Sequence, residues 1–103
     1  MSKRLEMLEK LIDRGTSDPF VRYARALELR SLGRLEETLA AFDEVRELHP
    51  DYVPTFLMAG QVAIELDRHD EARAWLQQGL RVAEAQGDEH ARSELQQALD
   101  TLD

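Results

Sequence analysis

Hydrophobic positions recur along this chain at the spacing of helices, not strands. Leu5, Leu8, Leu11 and Ile12 form one stripe near the start, and Ala91, Leu95, Ala98, Leu99 and Leu102 form another near the end. Each of these two segments keeps one polar face. The segments 19–32 and 53–66 are different. In the first, Phe20, Tyr23, Ala24 and Leu27 lie on one side while Ala26, Leu29 and Leu32 lie on another, and the second is apolar around most of its circumference. Helices of that kind must touch neighbours on more than one side.

Between the periodic stretches stand short breaks at Gly15 to Pro19, Leu32 to Leu35, Pro50 to Pro54, Leu66 to Asp70 and Gln86 to Asp88, which leave six segments of helical length. Asp18 followed by Pro19 predicts a helix start, because the carboxylate can accept from a free first-turn N–H and proline at the first position has none to satisfy. Gly15, Gly33 and Gly87 each follow a helical stretch, where a left-handed residue can close the last turn. Pro50 cannot continue the helix that ends near Leu48.

The doubly apolar segments prompt a search for an internal repeat, and a shift of 34 residues brings two helical hairpins into register. Ala26 then falls on Gly60, Leu32 on Leu66, Arg34 on Arg68, Glu37 on Glu71, Ala40 on Ala74, Phe42 on Leu76 and Leu48 on Val82. The opposite shift places Leu5 on Leu39, Leu8 on Phe42 and Leu11 on Val45, so the opening helix reads as the second half of a repeat whose first half is missing. Small residues at 26, 60 and 72, with the short Thr38, allow two antiparallel helices to approach closely, while Phe42 and Leu76 fill the space beside the crossing. Each hairpin retains an uncovered apolar side that the next hairpin can bury.

With this period, two helices per repeat and a proline at the repeat's end, the chain resembles the tetratricopeptide family, most closely in "SLGRLEETLAAFDEVRELHP" and again through Phe56, Gly60, Ala72 and Leu76. It departs from the family at Arg22 and Arg25, where a large apolar residue is usual, at Thr38 in place of alanine, and in lacking a proline after the second repeat. The resemblance implies an all-α, right-handed α-α superhelix of about six antiparallel helices. The expected layout is one domain over 1–103: an N-terminal helix at 2–15, repeats at 19–50 and 53–84, and a capping helix at 88–102.

Composition narrows the function. Thirteen Lys and Arg against 21 Asp and Glu give a formal charge of −8, which repels nucleic acid and anionic membranes on average. No run approaches the roughly 20 apolar residues of a membrane span. The first twelve residues are interrupted by Lys3, Arg4, Glu6, Glu9 and Lys10, unlike a signal peptide, so cytoplasmic residence is expected. Cysteine is absent, which removes thiolate metal sites and thiol catalysis. His49, His69 and His90 lie in different segments. Glu65 with His69 and Asp70, or His90 with Glu94, offers only part of the three protein ligands that zinc usually takes, so neither metal nor cofactor is expected. Glu36 with Glu37, and Glu6 with Glu9, belong to wet faces where nothing desolvates them for acid–base work. Trp75 reads as a buried contact inside a hairpin.

What remains is recognition of a protein or peptide. In tetratricopeptide arrays the first helix of each repeat lines a concave groove, and the resemblance places Phe20, Tyr23, Leu27, Arg30, Leu57, Met58, Gln61 and Ile64 there. One branch of the family grips a terminal carboxylate with Lys, Asn and Arg; Tyr23, Leu27 and Met58 stand at those places here, which implies an apolar peptide instead. The alternatives are a homodimer that buries the same ribbon and, more remotely, a metal-binding or enzymatic accessory. A further expectation is that the terminal helices fold over part of the ribbon.

Overall fold

A computed structural model describes residues 2–102 as six helices and no strand: α1 (Lys3–Asp13), α2 (Pro19–Ser31), α3 (Leu35–Leu48), α4 (Pro54–Glu65), α5 (His69–Gln86) and α6 (Glu89–Asp100). They gather into two compact units, one running to Pro50 and the other starting at Asp51. The expected first repeat, 19–50, lies in the former and the expected second, 53–84, in the latter.

In the first unit α2 packs against both α1 and α3. The Ser2 hydroxyl caps α1 by accepting from the Leu5 N–H at 3.1 Å and donates to a Glu28 carboxylate on α2 at 2.6 Å. Asp18 caps α2 through the Phe20 N–H at 3.0 Å, with Pro19 in the first turn, as the Asp–Pro pair predicts. Leu5 and Leu8 of α1 are buried, together with Ala24, Ala26 and Leu29 of α2 and Thr38, Leu39, Ala41, Phe42 and Val45 of α3. Leu11 departs from the expected stripe and stays exposed, because among the described helices α2 is the main neighbour of α1.

The second unit is built around α5, which packs against α4 and α6. Phe56, Ala59, Gly60, Val62 and Ala63 of α4 are buried, with Thr55 beside them, and α4 has almost no wet face. Trp75 is 2% exposed and its ring lies 6.1 Å from that of Phe56, the contact within the hairpin expected of it. Gly60 lets α5 come close: a Cβ there would stand 2.6 Å from Leu76 Cδ2. Gly79 does the same for two partners, since a Cβ there would stand 2.3 Å from Phe56 Cβ and 3.0 Å from Leu95 Cδ2 of α6. The sequence reading missed Gly79; its signal was a glycine inside a long helical pattern, where the residue costs about 1 kcal/mol without a packing reason.

Four helices end in the same way. Gly15, Gly33, Asp67 and Gly87 take φ of 89°, 75°, 63° and 68°. After α2, the Gly33 N–H donates to Arg30 O and the Arg34 N–H to Leu29 O; after α4, Asp67 donates to Ile64 O and Arg68 to Ala63 O. This paired pattern satisfies carbonyls that the last turn would leave open.

Candidate functional site

Phe20, Tyr23, Leu27 and Arg30 are spaced by three and four residues, so they share one face of α2. Phe20 is 53% exposed and its ring centroid lies 6.4 Å from that of Tyr23. Tyr23 is half-buried and held from below by Phe42 of α3, at 5.9 Å between centroids. Leu27 and Arg30 continue the stripe, both half-buried. On α4 the half-buried residues are Leu57, Met58, Gln61 and Ile64, beside the buried row of Phe56, Ala59, Gly60 and Ala63. The repeat register carries Tyr23 onto Leu57, Leu27 onto Gln61 and Arg30 onto Ile64. Each first helix thus spends one face on its hairpin core and keeps a second, mainly apolar, face only partly covered.

The two arginines that depart from the family pattern find carboxylates. Arg22 of α2 pairs with Glu44 of α3, and Arg25 of α2 with Glu9 of α1, Nε to Oε2 at 3.4 Å. With Ile12 and Asp13 they line a cleft of about 490 Å³. Arg22 stands in register with Phe56 of the second hairpin and Arg25 with Ala59, and the ion pairs hold the charged ends where water reaches them. This substitution was legible as a departure, but its partners were not, because Glu9 and Glu44 belong to other helices.

Arg4 of α1 likewise pairs with Glu28 of α2 at 3.7 Å, and the other charges include turn-spaced pairs on exposed faces. Arg34 meets Glu37 in a two-bond fork, Nε to Oε1 at 2.8 Å and Nη2 to Oε2 at 2.5 Å. That hydrogen bonding holds the Glu37 carboxyl below the usual glutamate range and raises Arg34. Arg92 does the same to Glu89. His69 lies 3.1 Å from Asp67 and His90 3.1 Å from Glu94, and among the described residues no three His, Asp or Glu side chains converge on one point. None of the described helices is long and apolar enough to cross a membrane.

Comparison with known proteins agrees with this architecture. The tetratricopeptide repeat profile matches residues 29–99, well over half of the chain. Among solved structures, a tetratricopeptide repeat domain protein from Salinibacter ruber is 40% identical, with a TM-score of 0.77 over 82% of this chain and 96% of that one in the crystal. Its solution structure gives a TM-score of 0.78 over 82% of this chain and 86% of that one, again at 40% identity. A protein from Bordetella parapertussis shares the fold at 22% identity, with a TM-score of 0.84 over 99% of this chain and 89% of that one. No curated protein matches. The chain, an all-helical pair of hairpins with a further helix at each end, belongs to the tetratricopeptide repeat family.

Proposed function

We propose that this chain is a non-catalytic interaction module that binds an apolar peptide or protein segment on the faces its first helices leave partly covered. Tetratricopeptide folds generally mediate contact between proteins, which favours a macromolecular partner over a small substrate. The contact residues are Phe20, Tyr23, Leu27 and Arg30 on α2, and Leu57, Met58, Gln61 and Ile64 on α4. The observation that carries this reading is Phe20: a large aromatic ring left 53% exposed beside Tyr23, although the hairpin core closes on Phe42 without it. Aromatic anchors of this kind dominate binding energy where they become desolvated. A charge of −8 favours a partner whose apolar side chains are flanked by basic residues, mainly through its rate of encounter.

The test is affinity capture from native extract with Phe20→Glu and Leu57→Glu, each checked for folding by circular dichroism. Wild type retains a partner that both variants lose, by about tenfold or more. Retention of the same partner by both folded variants removes this site. A self-association that vanishes with Phe20→Glu would assign the face to a second copy instead.

A further inference from the structure

A second surface stands on α1. In repeat register, Met7 and Leu11 of α1 correspond to Trp75 and Gly79 of α5. Both α5 positions are where the first helix of that hairpin sits: Phe56 of α4 packs its ring on Trp75 and its Cβ over Gly79. The α3 equivalents, Ala41 and Val45, are buried as well. No described helix covers this face of α1: Met7 is 55% and Leu11 37% exposed. The seat of a first helix is present, and its apolar floor is open.

One edge of that seat carries three basic residues, with Glu6 a turn away from two of them. Lys3, Lys10 and Arg14 are exposed and fall on the same side of α1 as Met7 and Leu11, whereas Glu9 on the far side is engaged by Arg25. Arg4 stands where α5 has Ala72, the small residue of the crossing, and its guanidinium pairs with Glu28 of α2 at 3.7 Å. A second copy's α1 would oppose base to base. The other terminal helix is no better: Glu89, His90, Glu94, Gln97 and Asp100, the exposed residues of α6, are all polar and bring nothing apolar to Met7 and Leu11.

From this register and charge pattern we infer that α1 docks an amphipathic helix of another protein, with apolar residues over Met7 and Leu11 and acidic residues along the edge that faces Lys3, Lys10 and Arg14. The docked helix takes on α1 the position that α4 takes on α5. The residues of this surface are distinct from those named on α2 and α4.

The probe is a synthetic, hydrocarbon-stapled helix of about four turns, long enough to span the seat, with leucines one turn apart and glutamates along one edge. A twin carries lysine for each glutamate. Fluorescence anisotropy is read with wild type, Met7→Glu and Lys10→Glu; these positions are exposed, so the substitutions leave folding intact, which circular dichroism verifies. The acidic peptide binds wild type saturably, weakens as salt rises, and loses about tenfold or more with Met7→Glu, the effect of burying one such side chain. Lys10→Glu weakens it as well, and the lysine twin binds at least several-fold less tightly. Equal affinity for wild type and Met7→Glu, no preference for the acidic peptide, or absence of saturable binding overturns the inference. So does a concentration-dependent dimer in sedimentation that Met7→Glu abolishes, since a second copy would then be the occupant.

Discussion

Asp67 carries a backbone conformation that Gly33, its counterpart one repeat earlier, adopts at no steric cost. A non-glycine residue in the left-handed region costs about 1–2 kcal/mol, less for Asp, whose short polar side chain tolerates it. Its carboxylate meets His69 at 3.1 Å, an exposed contact that offsets little of this strain. Asp67→Gly is therefore expected to stabilise the second hairpin by about 0.5–1 kcal/mol, and Gly33→Ala to destabilise the first by about 1–2 kcal/mol, both read by urea unfolding. Equal effects of opposite sign to these would refute the assignment of the two turns. A second contrast concerns the buried glycines. At Gly79 an added Cβ meets the Cβ of Phe56, which the backbone holds in place; at Gly60 it meets Cδ2 and Cγ of the buried Leu76, which can shift farther than a Cβ. Gly79→Ala should cost about 1–3 kcal/mol, while Gly60→Ala should cost less, because the helix-propensity gain of about 1 kcal/mol is the same at both sites and the overpacking at Gly60 is relieved more easily. A thermal unfolding series ranks the two, and the reverse order would contradict the packing described.

At the scale of elements, the helices were the legible part of this protein. Capping at Asp18, the positive φ of Gly15, Gly33 and Gly87, and the break at Pro50 depend on local backbone chemistry, so a single stretch of sequence carries them. The features that escaped reading depend on what another helix brings: Gly79 on Phe56 and Leu95, and Arg22 and Arg25 on Glu44 and Glu9. Asp67 escaped for a different reason, since only its register with Gly33 marks it. The start of α3 supplies a titratable test. Arg34 stands at the N-cap without a side-chain cap bond, and its fork with Glu37 places a carboxylate in the first turn, where the helix dipole also favours it. The Glu37 carboxyl titrates below the unfolded value, so what the pair contributes is present above the usual glutamate range and is lost as pH falls through the depressed folded value. NMR titration of the Glu37 side chain should show a midpoint below an ordinary glutamate, returning to the usual range in Arg34→Ala. An unchanged midpoint in that variant would exclude the fork as its cause.

For the molecule as a whole, the sequence and the structure agree on an all-helical repeat protein, and the family match follows from the same recurring positions. The recognition faces were legible only as positions: the register names Tyr23 with Leu57 and Leu27 with Gln61, whereas the exposure of Phe20 required the fold. The same holds for Met7 and Leu11, whose spacing fits a core stripe but which α1 leaves open. Binding at the first helices is most directly tested by replacing Phe20 with a photoreactive benzoyl-phenylalanine, which keeps the aromatic ring, and irradiating in native extract. Leu48, equally exposed at the end of α3, carries the same label as the control. The account predicts a partner adduct from position 20 that is absent from position 48; no adduct at 20, or the same adduct from both positions, would contradict it.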